Sequence, residues 1–479
     1  MAFNFIPFDR NQEFLLPPSL SDWLPQGHLA RFICEVVDQL NLKPFYKRHR
    51  NDGWGRAAYD PKMMVALLLY SYCVGCRSSR AIERRCIEDV AFRYICANQT
   101  PDHATIARFR SEHESALSGL FTQALRLCFA AGLGKVGTVA VDGTKVKANA
   151  SMSSNKTTAA IEQEVKKMLE EAKSIDAAED KDYQGGNDLP DQMKSSRKRL
   201  DNLLKAKKRL EAEDRKRQAD YRQKQAERKA NQQKLGGKLK GRAPKPPKQP
   251  ERPAVASITD PDSRILKSPH WFIQGYNAQA VVSEDQIVIA ADVTNQATDT
   301  AQLHPMLTQA KEDLKTAGSD RKIKVLLADA GYYSEDNLKQ QDEGPELLVA
   351  TNKGWKHRKQ AQKNPPKGRT PAGLNTRQRM ERKLETKRGQ RLYKKRGQTV
   401  EPVFGQHSER GFSEFLRRGV ESCRCDWRLE NTAHNLLKLW RAGKQGQSSR
   451  VLVFGRPSAG IFRCRRILCC RSNPGFQRF

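Results

Sequence analysis

Long apolar runs are missing from this chain of 479 residues. The longest, Met63 to Cys76, falls well short of the roughly 18 residues that a membrane span requires. This argues against a membrane bundle or a membrane partner. The N-terminus carries Asp9, Arg10 and Glu13 with no apolar core before them, so no signal peptide is expected. No G-x-x-x-x-G-K-S/T loop and no G-x-S-x-G elbow occurs, which removes P-loop nucleotide chemistry and the usual serine nucleophile. A completed zinc motif is missing too: Cys73 and Cys76 form a C-x-x-C in an apolar setting, and no second pair answers it. The 11 cysteines are an odd number at irregular spacings, which fits reduced core thiols in an intracellular protein. Acids are scarce as well. Asp plus Glu is 54 against 86 Lys plus Arg, a net charge of +32 that calls for a polyanionic partner, most simply nucleic acid.

What is present is unevenly placed. Residues 191–250 hold 21 Lys/Arg against 7 Asp/Glu, and residues 351–400 hold 17 against 2. These two segments account for all but three of the net charges, as two clamps on a phosphate backbone would. At 38% hydrophobic, the chain has enough apolar residues for a sizeable core in two or three domains.

Residues 1–135 read as an all-α domain, with helical spacing over His28–Leu42 and again from Met63. Thr100-Pro101-Asp102 opens a further helix, with Thr or Asp capping and Pro in the first turn. It carries Arg108 and Arg110, a place for a helix-turn-helix reader or an ordinary structural helix. Residues 137–148 read as a strand. Residues 151–256 break the pattern with two apolar stripes, one over Ile161, Val165, Met168, Leu169 and Ala172. The other runs over Met193, Leu200, Leu203, Leu204 and Leu210. Two antiparallel helices joined at Gly185-Gly186-Asn187 fit, followed by a Pro-rich linker at 244–253. From 257 to 442 an α/β core resumes. It has strands at Tyr276–Val282 and Ile287–Thr294, a helix over Thr300–Thr316, and strands at Lys324–Ala330 and Leu347–Thr351. A helix begins near Glu401. The basic stretch 353–398, poor in apolar residues, is expected to lack order without DNA, with Trp355 and Tyr393 flanking it. Residues 443–479 are an atypical tail of Ser, Arg, Cys and Gly.

Three acids stand out: Asp142, Asp329 and Glu401. Singly, each has an ordinary reading as a turn residue, a strand-end cap and a first-turn acid. Their order is more informative. Two acids on successive strands and a third on a following helix can converge at one sheet edge. Three carboxylates there can hold two divalent cations about 4 Å apart, Mg²⁺ or Mn²⁺ by their hard-oxygen preference.

The stretches around these acids resemble one known family. They are Val139-Ala140-Val141-Asp142-Gly143-Thr144, Leu327-Ala328-Asp329-Ala330-Gly331-Tyr332 and Val400-Glu401-Pro402-Val403-Phe404-Gly405-Gln406. Thr100-Pro101-Asp102-His103, Arg410-Gly411-Phe412 and Ala433-His434-Asn435-Leu436 support them. In this order they are similar to the DDE transposases of prokaryotic insertion sequences. The resemblance implies an RNase H-like mixed sheet with flanking helices over 136–150 and 257–442, interrupted by the helical segment 151–256. It implies Asp142, Asp329 and Glu401 as catalytic metal ligands, with Mg²⁺ as cofactor and Mn²⁺ as a substitute. It also implies that Tyr393 and Arg396 contact DNA near the cleaved end, and Lys394 or Lys395 beside them stand as replacements for a basic contact that the family often makes further on. The partners would be the element's terminal inverted repeats and target DNA, bound by a homodimer at the nucleoid in the cytoplasm. Where the family often has a lysine seven residues after its glutamate, this chain has Ser408. A chain that binds DNA without cutting it is the rival reading.

Overall fold

A computed structural model describes residues 19–47, 58–182, 191–235, 254–268, 271–339, 344–351, 365–371 and 373–444. The turn expected at Gly185–Asn187, the 244–253 linker, Trp355 and the tail beyond 444 lie outside these residues, as do the side chains of Ala172 and Met193.

Among the described residues, seven helices come first: α1 (Leu29–Val37), α2 (Lys43–Tyr46), α3 (Pro61–Cys73), α4 (Ser79–Glu88), α5 (Val90–Ile95), α6 (His103–Glu112) and α7 (Glu114–Ala130). Strand β1 (Thr138–Lys147) follows, then a short β2 (Asn155–Thr157) and the long helices α8 (Thr158–Asp182) and α9 (Asp191–Leu235). The chain returns through β3 (Val255–Ser257), β4 (Arg264–Lys267), β5 (Phe272–Ser283), β6 (Val288–Thr294), α10 (Leu303–Thr316), β7 (Val325–Ala328), α11 (Glu335–Lys339) and β8 (Glu346–Val349). Among the described residues, four helices follow: α12 (Thr376–Glu385), α13 (Lys387–Thr399), α14 (Glu401–Glu409) and α15 (Val420–Lys444). None of the described helices is long and apolar enough to cross a membrane.

The main sheet runs β4-β5-β1-β7-β8, with β6 also on β5. β1 is antiparallel to β5 and parallel to β7, and β7 is parallel to β8. This is a mixed α/β sheet with β1 inside it. Side chains alternate across a strand, so one β-run can feed two cores. Val139, Val141, Leu326 and Ala328 face the N-terminal helices, whereas Ala140, Leu327 and Ala280 face Val400, Val403 and Phe415.

Helices α1–α7 do not close a core of their own. Their buried residues join one cluster with Val139, Leu326 and Leu347 of the sheet and with Leu429, Ala433 and Leu436 of α15. Residue 135 is therefore a change of secondary structure and not a break in packing. Cys73 is buried deep in this region, and burial pushes its thiol up to about 12. That matches a core thiol, and all the described cysteines are free.

Helices α8 and α9 leave after β1 and come back before β4. They hold a small core of Ile161, Leu203, Ala206 and Leu210 with Ala256 from β3. The β2–β3 pair forms the neck, and Arg209 donates to the carbonyls of Pro261 and Ser263. Past Leu210 the described part of α9 has no buried residue, as the end of the apolar stripe foretold.

Two expectations need correction. The stretch from 376 to 399 is helical, not without order. Asn375 and Gln378 form a reciprocal capping box on α12, and Thr386 caps α13. Met380 is buried, Leu384 and Leu392 pack on the core, and ion pairs of Arg377 with Glu381 and of Arg388 with Glu346 lie on the outer face. The second correction concerns α6. Asp102 is the cap and Pro101 falls outside the helix. Arg108 is exposed, but Arg110 points inward, donating to the Arg77 carbonyl at 3.0 Å and to Ser79 Oγ at 2.5 Å. Buried to 5% exposure, Arg110 is a structural cation and not a DNA contact. Arg110→Ala should lower stability by about 1–3 kcal/mol through the acceptors it strands. Arg108→Ala should leave the denaturation midpoint unchanged and weaken DNA binding.

Candidate active site

Asp142 sits inside β1, a poor place for an aspartate unless something needs it there. It shares the face of Ala140, the face on which α13 and α14 pack. Opposite Val141 in the parallel pair lies Ala328, so the next residues on the two strands are Asp142 and Asp329. Asp329 ends the fully buried run Val325–Ala328, and its Oδ1 accepts from the Gly331 amide at 2.7 Å. Glu401 is the first residue of α14, followed by Pro402, and its side chain is 64% exposed. The apolar period of α14 explains this placement. Val403 and His407 are buried while Glu401, Gly405 and Ser408 look outward.

The residue that links the acids is Arg396, in the last turn of α13. Its Nη2 donates to Asp142 Oδ2 at 2.6 Å and its Nη1 to Glu401 Oε1 at 3.4 Å. Burial pushes the Asp142 carboxyl up to about 6, against the opposing pull of Arg396. For Arg396, burial works against the charge, but Asp142, Tyr393, Asp329 and Glu401 together hold it above its ordinary value. The guanidinium is thus the cation that balances this acidic edge. Tyr393 lies one helical turn earlier and donates its hydroxyl to the Ala328 carbonyl at 3.2 Å, beside Asp329.

The other two basic residues expected here separate. Lys394 is exposed. Lys395 turns the other way and pairs with Glu284 at 2.9 Å, in the hairpin beyond Ser283, which lies opposite the start of β1. Lys395 is therefore not beside the acids. Ser408 is exposed on the face of Glu401 and bonds back to the Phe404 carbonyl.

Among the described residues, no three Asp, Glu, His or Cys side chains already converge on one metal-binding point. The chemistry of the donors nonetheless suits a hard cation. All are carboxylate oxygens, and a guanidinium stands between two of them.

Helix α14 is held from below by a buried polar cluster. Glu430 of α15 accepts from His407 Nδ1 at 3.0 Å and from Arg410 Nη2 at 2.6 Å. Burial opposes the Glu430 charge, but His407 and Arg410 outweigh it and hold its carboxyl below the usual range; burial lowers His407. Trp427 lies against the His407 ring at 5.0 Å between centroids and donates to the Gln279 carbonyl at 2.8 Å.

Sequence reasoning missed a fourth acid at this edge. Asp299 is 24% exposed and is approached by Lys145 Nζ at 3.1 Å. It stands just before the helix read over Thr300–Thr316, where an acid draws no notice. The glycines after the two strand acids, Gly143 and Gly331, were the available signal that something crowds the backbone there.

The sheet thus sets Asp142, inside β1, next to Asp329, just past the end of the parallel strand β7, with Glu401 on a helix linked to Asp142 through Arg396. Two family models match the chain. Residues 257–436 match the Transposase DDE domain, and residues 18–112 match the Transposase domain (DUF772). The chain belongs to the insertion-sequence DDE transposases. The first match begins after β1, yet the sheet places Asp142 beside the Asp329 that the match contains. No curated protein and no solved structure matches the chain.

Proposed function

We propose that this chain cleaves phosphodiester bonds at the ends of a mobile DNA element and joins the freed 3′ ends to target DNA, through an RNase H-like catalytic fold. The observation that carries this reading is the placement of Asp142 and Asp329 on neighbouring parallel strands with Glu401 tied to Asp142 through Arg396. Asp142, Asp329 and Glu401 would hold divalent metal, which supplies an activated water and stabilises the leaving 3′ oxygen. The residues of the chain do the rest. Arg396 and Tyr393 sit where the strand near the cut would pass, and the exposed Lys394 adds phosphate contact. The outer half of α9 offers further bases to the duplex, and α6 presents Arg108. Two copies, one on each element end, would pair the cuts.

The test is a plasmid carrying the DNA that flanks the coding region, incubated with the full chain and Mg²⁺. Joined products at matched inverted repeats are the expected result. Nicking without joining would reduce the chain to a nuclease, and binding without either would show a DNA-binding remnant.

Arg396 gives a sharper expectation. Any DNA it holds must lie beside the acids, because its guanidinium already touches two of them. Arg396→Ala should reduce cleavage per bound complex by about 10²-fold, as loss of a charge-stabilising donor does. Its effect on overall binding should be a shallower salt slope by about one ion. Lys394→Ala should change the salt slope alike and leave cleavage per complex intact. Equal effects from the two in a gel-shift and cleavage assay would make Arg396 one more screening charge. Lys363, another candidate control, lies outside the described residues.

A further inference from the structure

Asp299 stands where a helix cap would, ahead of the short helical turn Thr300–Gln302 and of α10. Its side chain caps nothing. Instead its Oδ1 accepts from Asn277 Nδ2 at 2.6 Å, Gln279 Nε2 at 2.8 Å and Lys145 Nζ at 3.1 Å. In register, Lys145 lies opposite Asn277 and Gly143 opposite Gln279. Residues 143 and 145 alternate with 142, so these donors lie on the side of the sheet away from Asp142.

The carboxylate therefore sits behind the backbone of both strand acids. A Cβ on Gly143 would stand 2.9 Å from Asp299 Oδ1 and 2.2 Å from Gln279 Nε2. On the second turn, a Cβ on Gly331 would stand 3.3 Å from Asp299 Oδ2 and 3.0 Å from Asp329 Oδ1. At Gly143, Asp299 and its donors leave no room for a side chain unless they shift, and at Gly331 a Cβ would press on Asp329 and Asp299. The next residue, Thr300, donates to the Gly331 carbonyl at 2.9 Å, and Gln279 also accepts from the Tyr332 hydroxyl. Asp299 thus ties β1 to β5, and its donor Gln279 and its neighbour Thr300 reach on to the turn after Asp329. Hydrogen bonds to a charged acceptor are the stronger kind, and they lock the groups that make them.

We propose that Asp299 is a positioning residue for the site: by tying β1 to β5 behind Asp142 and, through Gln279 and Thr300, to the turn after Asp329, it restrains the two acids that would hold a divalent cation. This rests on the function proposed above. Partners that orient metal-binding side chains are typically worth about 10–100-fold in metal affinity or activity.

The experiment compares the full-length chain with Asp299→Ala, Asp299→Asn and Asn277→Ala. Mn²⁺ binding is measured without DNA by electron paramagnetic resonance titration, alongside thermal unfolding and the Mn²⁺ dependence of cleavage. Asp299→Ala is expected to weaken Mn²⁺ binding about 10-fold or more and to raise the Mn²⁺ needed for half-maximal cleavage in step. Asp299→Asn, whose side-chain oxygen can still accept all three bonds, should recover most of the affinity. Asn277→Ala withdraws the shortest donor, so it reports even if Asp299→Ala does not fold: several-fold weaker Mn²⁺ binding supports the role, and wild-type binding overturns it. A lower unfolding temperature with unchanged Mn²⁺ affinity would show a scaffold residue only and sink the proposal. A wild-type chain that neither binds Mn²⁺ nor cuts DNA would take the proposed function down with it. Variants that match an active wild-type chain would remove Asp299 alone.

Discussion

Replacing Asp142, Asp329 or Glu401 singly by Ala is expected to lower strand cleavage by at least about 10³-fold, since a metal site supplies several kcal/mol of transition-state stabilisation and each 1.36 kcal/mol is tenfold. DNA binding at moderate salt should stay within about two-fold, because phosphate neutralisation by Lys and Arg is a separate contribution. The three variants should not behave alike in stability. Asp142 is largely buried, and burial already strains its charge. Asp142→Asn should therefore melt no lower than the wild type, a stable chain that does not cut. Glu401 is mostly exposed, so its loss should be silent in melting. Cleavage of labelled end DNA, gel shift and thermal melting on the same preparations check all three statements. A cutting Asp329→Ala variant, or one that loses binding and cleavage together, would defeat the carboxylate mechanism.

The largest expected effect on folding is at Trp427. Its side chain is fully buried, packs on Phe412 at 5.3 Å between centroids as well as on His407, and donates to the Gln279 carbonyl. Trp427→Ala should cost about 3–5 kcal/mol, from lost burial, the cavity left behind and a stranded acceptor. Denaturant unfolding measures it. Because Trp427 joins α15 to β5 and to the helix that carries Glu401, residual folded protein should also cut poorly. Trp427→Phe should keep most of the stability and report the hydrogen bond alone, about 1 kcal/mol.

The sheet could be read from the sequence where burial imposes a period. Thr138–Val141 and Val325–Ala328 are runs that only a buried strand explains, and the hairpin of β5 and β6 follows from two β-type runs around Glu284-Asp285. Singly, Asp142, Asp329 and Glu401 read as a turn residue, a strand-end cap and a first-turn acid, and only their order along the chain set them apart. What stayed hidden depends on three-dimensional closure. Arg110 and Arg108 are two residues apart on one helix, and only the presence of Ser79 and the Arg77 carbonyl decides which is buried. Helices α12 and α13 carry only a sparse apolar set, Met380, Leu384 and Leu392, which packs on the core, with caps and ion pairs beside it. The Asn375–Gln378 box was the visible trace. Lys395 and Arg396 are neighbours, but 100° of helical rotation sends one to Glu284 and the other to Asp142.

The shared core also orders events during synthesis. Buried faces of α1, α3 and α7 are completed by Leu429, Ala433 and Leu436 of the last helix, and Tyr72 bonds Asp426 across the same seam. Central strand β1 waits for both of its neighbours, β5 and β7, which are made after the long α8–α9 arm. At ribosomal rates of about 5–20 residues per second, the first helices stand with an open apolar flank for some tens of seconds. No early fragment can assemble the acids, because strand β7 and helix α14 are still unmade. On the proposed function, a nascent chain that has not reached α14 lacks Glu401 and does not cut, although α6 and α9 already offer their basic residues.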